Sequence, residues 1–153
     1  MSTQKEKTGV KIERFRKFKT DNFYPSEFGE KEHHVVNEFS MAVRAGNRIF
    51  LRGQTGFDLD GKFHGLNDPA EQMENALRCV KQLLEEAGGR MEDVCKITTY
   101  VTDRSYRNEV YAVIAKHFKG VYPVSTGLVV NGLALPEMLV EIDVEAIISD
   151  PEA

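Results

Sequence analysis

Two predicted strands in this sequence each carry charge on one face, and the two charges are opposite in sign. Over Arg48–Thr55, Ile49 and Leu51 share one side while Arg48, Phe50, Arg52 and Gln54 share the other. Near the C-terminal end, Met138, Val140, Ile142, Val144 and Ala146 alternate with Leu139, Glu141, Asp143, Glu145 and Ile147. A carboxylate beside a guanidinium in a desolvated cleft can hold an anion or move a proton. Two readings are open. Both faces could meet water, where exchangeable ion pairs are worth about 0–1 kcal/mol each. Alternatively Phe50, Leu139 and Ile147, which interrupt the charged faces with apolar bulk, pack on another subunit and leave those charges partly desolvated.

Other chemistry-bearing residues point less clearly. His33 and His34 beside Glu32 suggest a metal, but adjacent histidines without a spaced third ligand give poor geometry, and no metal is expected. His64 lies in a loop, and His117 on a helix with no carboxylate four residues away, so neither suggests a catalytic dyad. Ser125-Thr126 has no nearby histidine in sequence and no nucleophile-elbow motif. Gly88-Gly89-Arg90 reads as a helix stop rather than a phosphate loop. Cys79 and Cys95 stand among apolar neighbours at a core-like phase and read as buried free thiols.

The elements that must position these residues are legible from Phe39 onward. Phe39–Arg44 and Arg48–Thr55 are predicted strands joined at Gly46-Asn47, a dipeptide suited to a tight hairpin. Asp60-Gly61 marks a second, short hairpin between Phe57–Leu59 and Lys62–His64. Asp68, Pro69 and Glu71 open a helix over 69–87, whose Met73, Leu77, Val80, Leu84 and Ala87 form one apolar stripe. Val94–Thr102 is a strand, with Cys95, Ile97 and Val101 on one face. A second helix covers about Ser105–Phe118, and Ser125–Asn131 and Met138–Ile148 are the last strands. The order β-β-α-β-α-β-β predicts an α+β mixed sheet with two helices on one face. Residues 1–38 show no clean periodicity and read as an irregular lead-in.

Composition bounds the rest. The chain has 153 residues, 41% hydrophobic and 29% charged, which is one globular domain with a real core and no need of crosslinks. No apolar run reaches the roughly 18 residues of a membrane span, and no secretory h-region opens the chain, so a cytoplasmic protein is expected. Seven bases against two acids in residues 1–19 give +5, which leaves −9 on the remainder of a chain whose net charge is −4. An acidic body argues against nucleic acid as the main partner. The basic arm reads as a solvated extension lying on a neighbouring subunit.

Six pieces in register resemble the Rid family (YjgF/UK114-like): Gly53-Gln54, PAEQMENALRCVKQLLEEAGG, DVCKITTYVTD, RNEVYAVIAKHF, GVYPVSTGL and the closing VEIDVEAI. The similarity covers about residues 37–148. It divides the chain into an N-terminal extension, 1–36, and a Rid-like α+β domain, 37–150. The resemblance implies a chorismate-mutase-like single domain and a homotrimer with its helices outside and three clefts between subunits. It also implies hydrolysis of enamine or imine intermediates to 2-oxo acids and ammonia, with no cofactor.

Residue by residue, the family's pocket asparagine falls on Asn108, its acidic residue on Glu141 (Asp143 being the alternative), and its strand-end glycine on Gly53. The aromatic near the first strand falls on Phe39, which lacks the usual hydroxyl. The arginine that binds the substrate carboxylate in deaminating members falls on Ser125, which places this chain in a subgroup lacking that arginine. A hydroxyl cannot replace a bidentate guanidinium, and the loss amounts to several kcal/mol in a desolvated site. Arg52 stands where such members usually have a small hydroxyl residue. It would either hold a carboxylate from another direction or pair with Glu141.

Three functional readings follow. The first is a Rid-like imine or enamine hydrolase with Glu141 as acid and base, weak or inactive on ordinary 2-imino acids. The second is a non-catalytic trimeric module binding a small carboxylate metabolite. The third is a ribonuclease, after an old name attached to this family, and it is the weakest because the body is acidic and no histidine pair is present.

Overall fold

Helix α1 (Pro69–Glu86) begins and ends where its flanking residues dictate. The Asp68 carboxylate accepts a hydrogen bond from the Glu71 amide, and Pro69 fills a first position whose N–H would have no partner. Just past the end, Gly88 turns left-handed at φ 89°, a conformation that glycine adopts without strain. These features belong to a computed structural model that describes residues 8–18 and 38–150.

Among the described residues six strands form one sheet: β1 (Ile12–Phe15), β2 (Ala42–Ala45), β3 (Arg48–Leu51), β4 (Val94–Val101), β5 (Val124–Val129) and β6 (Val140–Ile147). Their order is β1-β2-β3-β6-β4-β5. All neighbours are antiparallel except β4 and β5, which run parallel because helix α2 (Arg107–His117) carries the chain between them. The core lies between the sheet and both helices. Met73, Leu77, Val80 and Leu84 of α1 and Val110 and Ile114 of α2 pack on Ile49, Ile97, Val101, Val140, Ile142 and Val144. No described helix lies on the other sheet face, and none is long and apolar enough to cross a membrane.

Two buried amides on α1 tie the helix to the segments that lead into the polar sheet face. Asn75 Nδ2 donates to the Thr55 carbonyl. Gln72 donates to the carbonyls of Gly65 and Glu137 and accepts from the Leu139 amide. Each bond satisfies a buried backbone group that would otherwise cost about 1–3 kcal/mol.

Four expectations change. Residues 12–15 are not irregular but form the edge strand β1, pairing Ile12 with Ala45 and Phe15 with Ala42 of their own chain. A four-residue edge strand is held by backbone bonds and carries charges against further pairing, so it leaves little apolar pattern. The strand from Arg48 loses its alternation after Leu51, and Gln54, 3% exposed, turns into the core. Cys95 is exposed, because a register shift between Val94 and Lys96 takes it out of the alternation. Cys79 is buried as expected, and burial pushes its thiol up to about 11. The last two strands are also shorter than expected, β5 ending at Val129 rather than Asn131 and β6 starting at Val140 rather than Met138. The boundary between 36 and 37 and the residues Glu32, His33 and His34 lie outside the described residues.

Candidate functional site

Strand β6 is central, with β3 on one side and β4 on the other, so its polar face collects side chains from three strands. Glu141 stands opposite Tyr100 and Asp143 opposite Thr98. The Tyr100 hydroxyl donates to Asp143 Oδ2 at 2.9 Å. On the β3 side, Phe50 pairs with Glu145 and Gln54 with Ile142. Four steps along one strand therefore face three along the other, and the extra residue makes a bulge at 51–53. The bulge brings the Gly53 backbone against the acids. A Cβ at Gly53 would lie 2.7 Å from Asp143 Oδ1 and 2.8 Å from Glu141 Oε2. Only glycine lets both carboxyl groups rest over this turn of backbone.

Burial, and then the neighbouring charge of Asp143, raise the Glu141 carboxyl above its ordinary value, and Arg52 opposes them with a smaller downward pull. Arg52 itself lies at the bulge, with Nη1 3.9 Å from Met41 Sδ. The Tyr100 phenol is also raised, first by the hydrogen bond it gives Asp143, then by burial and by the charges of Asp143 and Glu141. Tyr100 thus stays a neutral donor. Glu141 is moved toward the range where one carboxyl can both take and return a proton.

The residues expected at the site fall into two groups. Arg52, Gly53 and Glu141 meet as described. Ser125 pairs with Ile97, whose side chain is buried under the helices, so Ser125 faces the helix layer and not the Glu141 side. Asn108 is exposed in the first turn of α2, and Phe39, 57% exposed, precedes β2. Asp143, the alternative to Glu141, belongs to the same cluster rather than to a competing one. Tyr100 was missed as a site residue. Its position on the polar face of β4 was visible, but its partner forty-three residues away was not.

The two described histidines differ from expectation as well. His64 Nε2 lies 2.7 Å from Asp58 Oδ2, and His117 Nε2 lies 2.7 Å from Glu74 Oε2. Both partners come from other elements or turns, beyond the reach of an i±4 search. Burial pushes the Glu74 carboxyl up, but hydrogen bonds from Lys116 and His117 outweigh it and hold the group below its ordinary value. Neither pair touches the carboxyl cluster. No group of three possible metal ligands occurs among the described residues.

With this geometry in place, comparison with known proteins is specific. The profile of the family described as Endoribonuclease L-PSP matches residues 29–148. A RutC family protein of Pyrococcus abyssi is 29% identical over 116 residues, which is 76% of this chain and 91% of that protein. The crystal structure of a YjgF/YER057c/UK114 family member from Mycobacterium tuberculosis matches with a TM-score of 0.69 at 31% identity, covering 90% of this chain and 100% of that one. RidA from the Antarctic bacterium Psychrobacter sp. PAMC 21119 matches at 0.68 and 29%, over 74% and 91% of the two chains.

Proposed function

This chain belongs to the Endoribonuclease L-PSP family, the YjgF/UK114/Rid group, and from that premise we propose that it hydrolyses imines or enamines derived from amino acids. The observation that carries the reading is the raised Glu141 carboxyl beside Asp143 over the Gly53 backbone. In the reaction, ionised Glu141 takes a proton from water as the water oxygen adds to the carbon of the protonated imine, C=NH2+. The C=N π pair moves to nitrogen and gives a carbinolamine. Glu141 returns its proton to that nitrogen, the C–N bond breaks as C=O forms, and ammonia leaves carrying the hydroxyl proton as ammonium. The enzyme ends as it began, with no cofactor. Tyr100 holds Asp143 in position, while Gly53, Asn108 and Phe39 shape the pocket.

A cytoplasmic homotrimer is part of this reading. Ser125 and Asn108 lie on the opposite side of the sheet from Glu141, so one pocket holding all three draws on two copies. Every residue of edge strand β5 is exposed. Tyr122, 91% exposed with a left-handed φ of 58°, and Val124, 66% exposed, continue an apolar surface suited to a second subunit. Ribonuclease action, which the family description names, has little support here, because an acidic body of −9 disfavours phosphate contacts.

Ser125 is the observation that favours a second reading, a trimeric module that binds a small carboxylate without turning it over. A lactate-dehydrogenase-coupled assay on freshly generated 2-iminopropionate, beside imines of longer amino acids, separates the two. The hydrolase reading predicts acceleration on some members of the panel and weak or absent acceleration on 2-iminopropionate. Buffer rates on every member would leave the binding module.

A further inference from the structure

On the helix-facing side, β5 carries a feature that the carboxyl cluster does not use. Gly127 pairs with Thr99, whose side chain is buried under the helices, so position 127 faces the same layer. A Cβ there would run into the Tyr111 hydroxyl and come within 2.7 Å of Arg107 Nη1. The glycine is thus the seat on which both side chains rest. The Arg107 guanidinium stacks over the Tyr111 ring at 4.7 Å. Stacking orients the guanidinium plane without using its N–H donors. Among the described residues no carboxylate lies within ion-pair distance of Arg107.

The surroundings match an anion. Ser125 lies on the same face two residues along β5, about 7 Å away, and offers a hydroxyl. Thr99 Oγ1, one strand inward, is buried without a hydrogen-bond partner among the described residues. β5 is exposed along its length, so the feature opens at the sheet edge. Arg52, the other candidate cation, lies at the bulge on the Glu141 side of the sheet, where its charge pulls on that carboxyl.

We propose that Arg107, seated on Tyr111 above Gly127, binds the carboxylate of this protein's small-molecule ligand, and that Arg52 does not. The inference rests on the reading that the ligand is a small carboxylate. It assigns the charge recognition to α2 and the edge of β5, and leaves the proton chemistry to β6.

The test is calorimetric titration of the full chain with pyruvate and with pyruvamide, which keeps the size but lacks the charge. Wild type should bind pyruvate more tightly than the amide. Arg107→Gln should weaken pyruvate binding about 10–100-fold, the range of a lost charge-assisted pair, and leave pyruvamide and the melting temperature unchanged. Arg107→Lys should recover part of the loss. Gly127→Ala, which keeps the arginine but removes its seat, should also weaken pyruvate severalfold. The inference is overturned if Arg107→Gln binds pyruvate as wild type does, if it weakens acid and amide equally, or if Arg52→Gln gives the carboxylate-specific loss. It is also overturned if wild type does not prefer the acid. Carboxylate binding through Arg107 without imine turnover would remove only the hydrolase reading. Turnover that Arg107→Gln leaves intact would remove only this assignment.

Discussion

Tyr100 and Asp143 are joined by a 2.9 Å hydrogen bond across β4 and β6, and that bond fixes one acid directly beside the other. Asp143 accepts from the phenol, and burial first, then the charge of Asp143, lift Glu141 on the same face. A proton donor, an anchored acid and a raised acid therefore stand in a row over the Gly53 bulge.

Removing the phenol oxygen isolates its role. Tyr100→Phe leaves Asp143 without its donor and should cost about 1 kcal/mol, since the pair is only part-buried. Turnover should fall roughly tenfold, because Asp143 is then free to turn away from Glu141. Thermal melts and steady-state rates on the same samples read both effects.

Glu141 should work against stability at neutral pH. Its folded value is raised, so its favourable contribution is complete below the unfolded value near 4.5 and is lost as pH rises through the folded value. Glu141→Gln removes that loss. The variant should be about 1 kcal/mol more stable than wild type at pH 8, a figure reduced for partial exposure, and no more stable at pH 4. Chemical denaturation at the two pH values checks the sign.

How much of this was legible in the sequence depends on the range of the interaction. The α1 caps, the Gly46-Asn47 hairpin and the alternation of β6 are local, and the structure has them where the residues indicated. The bulge at 51–53 is not local. It arises because β3 must meet β6 one residue out of step, and a regular strand through Arg52 and Gln54 was the simpler reading. Gln72 and Asn75 were hidden for a similar reason. They flank an apolar stripe, and only the chain they hold reveals why amides are buried there. The opposite facing of Ser125 and Glu141 follows from sheet order, which no single strand encodes.

Arg52 should matter more at high pH. Its charge favours ionised Glu141, so deleting it raises Glu141 further and leaves a less compensated carboxylate wherever that group is ionised. Arg52→Ala should cost about 1–3 kcal/mol at pH 8, between the values for exposed and buried pairs, and well under half of that at pH 5. A flat pH profile of the melting temperature would place Arg52 outside the influence of Glu141.

The two helices are clamped through Glu74, which receives Lys116 and His117 from α2. The Glu74 carboxyl is held below its ordinary value, so its stabilisation is present above the unfolded value near 4.5 and is lost as pH falls through the folded value. Glu74→Gln should cost about 1 kcal/mol at pH 6 and almost nothing at pH 3. Urea titrations at both pH values decide it, and imine turnover should be unchanged.

The central claim is that Glu141 moves the proton in imine hydrolysis. The most direct measurement is the initial rate of 2-oxo acid release from a panel of freshly generated imines, for wild type and Glu141→Gln at equal concentration of folded protein. The predicted result is acceleration over buffer by wild type on at least one imine, reduced by two orders of magnitude or more in Glu141→Gln. A variant as fast as wild type would contradict the assignment of Glu141, and a wild type no faster than buffer on any imine would contradict the reaction itself.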